Sequence, residues 1–217
     1  MPYQSEEWKA LDTGERAQLL LVIEGLKKGT IIEGNWTSVP RILAKTGLNY
    51  QIITEPGLLE PVMSIGREED IKKLIRNMLL LPEKADCEGS HRIMGDFLSY
   101  PPCCIDEYVR ERTGEERQAQ QDGKRHLSYR FGRELTALIR EKKTYPPAFD
   151  YAPPTFTPCS IECGKARDLL GEWGDALERL DPDGAFAIVY PNRSGFPERL
   201  AHKEYLAREK LRYERLR

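Results

Sequence analysis

Apolar residues recur at helical spacing near the start of the chain. The pattern predicts a helix that begins at Thr13, its N-terminal cap. Gly29, a residue that readily adopts a left-handed backbone conformation, is predicted to end this helix. A short second helix is predicted from Ser38, with Pro40 in its first turn, to Gly47. The apolar face of the first helix consists of Leu19, Leu20, Ile23 and Leu26.

Two short runs after this helical stretch carry β-strand signals. Residues 50–54 and 62–65 are rich in β-branched and aromatic side chains, and Pro56-Gly57 between them favours a turn. The pattern therefore predicts two strands that follow the first helices.

Helical spacing dominates the remainder of the chain. Pro101 and Pro102 must break the pattern, because proline lacks an amide donor and restricts the residue before it. Residues 145–158 contain five prolines and are predicted to be extended, and residues 185–190 form an apolar run typical of a buried strand. Helices are predicted over residues 67–80, from Ser90 through Leu98, from Cys103 through Val109, over residues 127–143, from Cys159 through Leu180 and from about Pro197.

These elements predict an α+β fold that is predominantly helical with a small β-sheet. We expect a single domain over residues 1–217, built from a small αββ lobe at residues 1–66 and a helical, cysteine-bearing part at residues 67–217. The chain shows no internal repeat and no low-complexity tract.

Composition narrows the class of protein. A formal net charge of -2 excludes histone-like and strongly acidic activator proteins. The chain has no run of 18 apolar residues and no signal-peptide pattern, so we expect a cytoplasmic protein that does not enter a membrane. Its five cysteines are too few for a disulfide framework, and a reducing cytosol keeps them as thiols.

Four of the cysteines form two pairs, each just after proline and at the start of a predicted helix. Cys103 and Cys104 are adjacent, whereas Cys159 and Cys163 are four residues apart and would share one helix face. The free amides at a helix N-terminus favour the thiolate, which binds metals or attacks electrophiles. If the two helix starts meet, four thiolates converge and suit Zn²⁺ or an iron–sulfur cluster.

Several alternatives stay open at this point. Cys104 and Cys163 can be small buried hydrophobes, and one helix-start cysteine can be the nucleophile of a thiol redox or transferase enzyme. A closed four-cysteine zinc site would pin the proline-rich segment of a non-catalytic interaction module. If only one of Cys103 and Cys104 ligates, an open coordination position would favour a metal-dependent catalyst. Cys87 and His91 are spare ligands at best.

Positive charge is concentrated in two regions. Residues 109–143 contain ten Lys or Arg against six Asp or Glu, and residues 193–217 contain eight against four. A basic surface of this kind suits an anionic small molecule, a nucleotide or RNA, and Arg125, Arg130 and Arg133 are the first candidates for anion binding. Solvated, salt-bridged helices are the competing interpretation, and no phosphate-binding glycine loop is present.

The sequence MGDFLSYPPCCI at residues 94–105, followed by PCSIEC at residues 158–163, resembles the uncharacterised, largely archaeal family known as domain of unknown function 483. The resemblance spans roughly residues 65–173. It implies that the cysteines form one site, and it implies no substrate or activity. Family members have glycine where this chain has Ser99, a departure that bears on the geometry of the turn.

Overall fold

Helices alternate with a small sheet in the computed structural model, which describes residues 3, 5–34, 37–54, 62–79, 87–113, 147–152 and 156–185 together with positions 131, 134, 137, 138, 140 and 141. The strands are β1 (Gly29–Glu33), β2 (Asn49–Ile53) and β3 (Val62–Gly66). The helices are α1 (Glu6–Lys9), α2 (Thr13–Ile23), α3 (Ser38–Leu43), α4 (Glu68–Leu79), α5 (Cys87–Phe97), α6 (Pro102–Thr113) and α7 (Gly164–Leu180), with a 3-10 helix at Pro147–Tyr151. The predicted helical α+β class is confirmed.

The sheet is antiparallel, with strand order β1-β3-β2. Ile32 on β1 and Ile52 on β2 both lie opposite Met63 on the central strand. Met63 and Ile65 belong to the large core that includes α2, whereas Ile31 on the other face packs against a second core formed by α4 and α5. The central strand β3 is therefore covered on both faces.

The start of α2 differs from the prediction. Asp12, and not Thr13, is the N-cap: its carboxylate accepts the Glu15 amide at 2.8 Å, and the Glu15 side chain accepts the Asp12 amide at 3.3 Å. This reciprocal capping box satisfies two amides that a helix start leaves without partners.

The end of α2 was also predicted wrongly. Gly25, with φ +74°, is the left-handed glycine after the helix, and Gly29 begins β1. The sequence did not reveal β1, because this five-residue strand is too short to show a clear alternating pattern.

Two helix starts in the second half need correction. Helix α5 begins at Cys87, three residues before its predicted start at Ser90. Helix α7 begins at Gly164 with Cys163 as its N-cap, so Cys159 lies in the preceding loop. Residues 145–158 are not extended throughout, because the 3-10 helix at Pro147–Tyr151 buries Phe149 in the main core.

Helix α7 closes the main core. Its buried face contacts α2 and the 3-10 helix, and Trp173 is completely buried. The predicted strand at residues 185–190, apart from Ala185, and the predicted helix from Pro197 lie outside the described residues. Among the described helices, none is both long and apolar enough to cross a membrane. The division into a lobe at residues 1–66 and a part at residues 67–217 stays a prediction.

Candidate metal centre

A tight turn between α5 and α6 sets the direction of the first cysteine pair. The Ser99 amide donates to the Asp96 carbonyl at 3.0 Å and the Tyr100 amide donates to the Gly95 carbonyl at 2.9 Å, the two bonds of a Schellman motif. Ser99 occupies the left-handed position of this motif with φ +63°. Glycine is the usual residue there, which agrees with the glycine that the family resemblance implies.

Helix α6 begins immediately after this turn. Pro102 is its first residue, where the missing amide carries no penalty, and the amides of Cys104 and Ile105 donate to the Pro101 carbonyl at 2.8 and 3.0 Å. Cys103 and Cys104 therefore lie in the first turn of α6, as predicted.

Gly95 lets α5 and α6 approach each other closely. A Cβ atom at this position would lie 2.7 Å from Cγ1 of Ile105, closer than real side chains pack. Because Gly95 has no side chain, the first turn of α6, which carries the two thiols, can pack closely against α5.

The second pair lies on the loop that leads into α7. Phe156 at the start of this loop is buried and stacks on Tyr100, with ring centroids 4.5 Å apart. The Cys163 amide donates to the Ser160 carbonyl at 3.1 Å, which folds the residues between the two cysteines into a turn. The Ile161 amide also donates to the Glu134 carboxylate at 2.8 Å. These contacts place Cys159 and Cys163 beside the start of α6.

The four sulfur atoms meet in one group. Cys103, Cys104, Cys159 and Cys163 have Sγ atoms that all lie within 4.8 Å of one another. The Cys163 sulfur lies 3.7 Å from that of Cys103 and 3.9 Å from that of Cys104. The Cys159 amide donates to the Cys104 sulfur at 3.4 Å. The structure thus brings together the two pairs that the sequence singled out, while their role as metal ligands stays a prediction.

The thiols of this group differ in acidity. Burial raises the pKa of Cys104 well above its usual range and raises the pKa of Cys159 to about 12. Burial also acts on Cys163, but the amide of Ala166 and the thiols of Cys159, Cys103 and Cys104 outweigh it and lower the pKa. A bound cation would lower the pKa of the thiols that coordinate it and so deprotonate them.

Other candidate residues lie elsewhere. The ring of His91 packs edge-on against Tyr108 between α5 and α6, and it does not belong to the sulfur group. Cys87 is the first residue of α5. The predicted anion-binding residues Arg125, Arg130 and Arg133 lie outside the described residues.

Sequence reasoning missed Lys27, which follows α2. This lysine is only 3% exposed, and its Nζ donates to the Gln18 amide oxygen at 2.5 Å. Nζ also lies 5.2 Å from the Trp173 ring and 5.8 Å from the Tyr100 ring. Burial lowers the pKa of Lys27 to about 7. Nothing in the sequence distinguishes Lys27 from its exposed neighbour Lys28, so only the fold reveals this site.

The fold and the sulfur group together define a helical α+β protein with a four-thiol site able to hold a metal ion. The chain belongs to the family described as Protein of unknown function (DUF483), which matches residues 58–172. The match includes both cysteine motifs. No curated protein and no solved structure matches the chain.

Proposed function

We propose that this protein binds one Zn²⁺ ion through Cys103, Cys104, Cys159 and Cys163, and that the ion fastens the loop before α7 to the start of α6. The sulfur geometry carries this proposal. Tetrahedral coordination with Zn–S bonds of about 2.3 Å places neighbouring sulfurs about 3.8 Å apart. The distances from the Cys163 sulfur to those of Cys103 and Cys104, 3.7 and 3.9 Å, match that spacing.

The same distances favour a single ion over an iron–sulfur cluster. A cluster places several iron and sulfide atoms between the cysteine ligands, so it spreads their sulfurs more widely than one ion does. Sulfurs that all lie within 4.8 Å of one another leave little room for a cluster. A closed set of four cysteines is also characteristic of structural zinc.

A closed site supports a structural role for the metal. A catalytic zinc ion keeps one position open for water or substrate, which would require one of the four thiols to stay away from the ion. Cys103 and Cys104 are nearly equidistant from the Cys163 sulfur, and this supports ligation by both. The arrangement therefore favours a zinc-stabilised module over a metal-dependent catalyst. Action on an anionic small molecule or RNA stays a prediction from the sequence.

A thiol redox or transferase activity is the second candidate function. The lowered pKa of Cys163 at the start of α7 supports a nucleophilic thiolate there. Such an enzyme needs one reactive thiol, whereas this site brings four sulfurs together, so we rank it below metal binding. Rapid alkylation of Cys163 in folded protein that contains no metal would favour this second function.

Elemental analysis and a visible spectrum of protein purified without oxygen test the proposal. We expect about one zinc per chain and a colourless protein, as a four-thiolate zinc site requires. Iron at a similar level, together with visible absorption, would show that the site holds iron and not zinc. Absence of both metals would refute the proposal.

Two cysteine variants give the matched comparison. Cys104→Ser is expected to lose the metal and to be less stable, because removal of one ligand opens a closed site. Cys87→Ser, which removes the one cysteine outside the group, should keep full zinc content. Unchanged metal content and stability in Cys104→Ser would instead support an open three-thiolate site.

A further inference from the structure

We propose that Cys103 and Cys163 form an oxidative modification site, in which a hydroperoxide joins the two sulfurs in a disulfide. The disulfide would also release the bound ion, and that part of the inference rests on the proposed zinc site. The pair links the first turn of α6 to the N-cap of α7, so oxidation would replace one connection between these helices by another.

The two sulfurs lie close enough for a disulfide to form after a small movement. They lie 3.7 Å apart, so a disulfide of about 2.05 Å requires an approach of about 1.7 Å. Cys103 and Cys163 are both only partly buried, which allows a small oxidant to reach them. The Cys163 carbonyl accepts the Arg167 amide at 3.0 Å, so its backbone is tied to α7, but rotation of its side chain can bring the sulfur closer without unwinding the helix.

Cys104 is a poorer partner for Cys163, although the two sulfurs lie 3.9 Å apart. Its side chain is 3% exposed within the main core, and its sulfur accepts the Cys159 amide. Movement towards Cys163 would disturb that packing and break that hydrogen bond. A bond between adjacent Cys103 and Cys104 would be strained, because consecutive Cα atoms are about 3.8 Å apart and disulfides span about 4.4 to 6.8 Å.

The chemistry balances with the hydroperoxide as oxidant. One thiolate attacks the peroxide, the O–O bond breaks, and a sulfenic acid and an alkoxide or hydroxide form. The second thiolate then attacks that sulfur, so that the S–S bond forms as the S–O bond breaks and hydroxide leaves. Two thiols and one hydroperoxide thus give one disulfide, one water and one alcohol, or two waters when the oxidant is hydrogen peroxide.

Loss of the ion follows from the loss of ligands. Zinc binds thiolates, and the sulfurs of a disulfide no longer carry that charge. Only the thiolates of Cys104 and Cys159 would remain, and two ligands do not satisfy tetrahedral coordination. Reduction of the disulfide would restore the four-thiolate site.

The test is oxidation of the reduced, zinc-loaded full chain by hydrogen peroxide, with an indicator dye for released zinc and peptide mass spectrometry for the bond. Trypsin with a glutamyl endopeptidase cuts after Glu162 and so separates Cys159 from Cys163. Fragment ions that break the chain between Cys103 and Cys104 identify the linked residue. We expect the main cross-link to join Cys103 to Cys163, with one zinc released for each bond formed.

The outcomes separate the two proposals. A zinc-free protein that forms the same cross-link would refute the zinc site and keep the modification site. A zinc-loaded protein that mainly forms any other cysteine pairing, or only sulfinic acids, would refute the modification site and keep the zinc site. Cys103→Ser should lose the cross-link, whereas Cys87→Ser should form it at the wild-type rate.

Discussion

Lys27 is a single residue whose burial works against folding. A charged ammonium group loses its hydration when it is buried, and the Gln18 amide with the rings of Tyr100 and Trp173 offsets only part of that loss. Its pKa of about 7 means that the folded protein releases a proton that the unfolded chain holds until about pH 10.4.

We predict that Lys27→Met stabilises the protein near neutral pH by roughly 2 to 4 kcal/mol. The unfolded state binds more protons between about pH 7 and 10.4, so wild-type stability from this group rises with pH across that window. The advantage of the variant should therefore be largest at or below pH 7 and should shrink towards pH 10. Chemical denaturation at several pH values measures this.

Lys28→Met is the matched control for this experiment. Lys28 is about half exposed and pairs with Asp96 at the surface, so its replacement should change stability by less than about 1 kcal/mol and without the same pH dependence. A Lys27→Met protein that is less stable than the wild type at every pH would show that the ammonium group is needed in the fold.

At the scale of elements, the turn from α5 to α6 decides where the first two thiols lie. Ser99 combines a left-handed backbone with a side chain that accepts the Lys28 amide at 2.7 Å. The hydrogen bond ties the turn to the segment before β1 and offsets the cost of a non-glycine residue at positive φ.

Replacement of Ser99 separates these two effects. We predict that Ser99→Ala lowers the free energy of unfolding by about 1 kcal/mol, because the Lys28 amide loses its acceptor while the strained backbone remains. Ser99→Gly should be more stable than Ser99→Ala by about 1 kcal/mol, because glycine adopts this conformation freely. Urea denaturation of both variants gives the comparison, and equal stability would argue against strain at this turn.

At the scale of the whole molecule, the proposed ion is a cross-link between distant parts of the chain. Cys103 and Cys163 are 60 positions apart. A cross-link between them would raise the free energy of the unfolded chain by about 4 kcal/mol if it acted as a disulfide does, because it removes conformational entropy. The sheet and α4 contain none of the four cysteines, and β3 is covered on both faces without them.

Removal of the metal should therefore loosen the cysteine-bearing segments more than the sheet. We predict that a chelator increases amide exchange at residues 159–166 and 102–105, while the amides of β3 stay protected. Hydrogen exchange with mass spectrometry, with and without chelator, measures the difference. Equal changes in β3 and at the cysteines would mean that the ion supports the entire fold.

Local patterns predicted several elements well because neighbouring residues decide them. The strands β2 and β3 and helix α4 lie within a residue or two of the predicted positions. Helix α6 starts one residue before its predicted start at Cys103 and ends four residues beyond Val109. Cap positions were less predictable. Asp12 and Thr13 are both good caps, and the choice depends on the reciprocal contact with Glu15.

The cysteine loop shows why helical spacing can mislead. Cys159 and Cys163 are four residues apart, as on one face of a helix, yet Cys159 precedes α7 and the Ser160 turn brings the two sulfurs together. Spacing over five residues does not distinguish a helix from such a turn. The contacts of Phe156 and Ile161 with other elements decide between them.

The sequence by itself determined the helical character, the two later strands and the four thiols that can share one site. Periodicity and residue chemistry act locally, so they can be recognised without the fold. Only the tertiary structure decided that sulfurs 55 or more positions apart meet within 4.8 Å, and that Lys27 is buried while Lys28 is exposed. These placements depend on packing between distant segments, here of α7 against α2 and of Phe156 against Tyr100, which no short stretch of sequence contains.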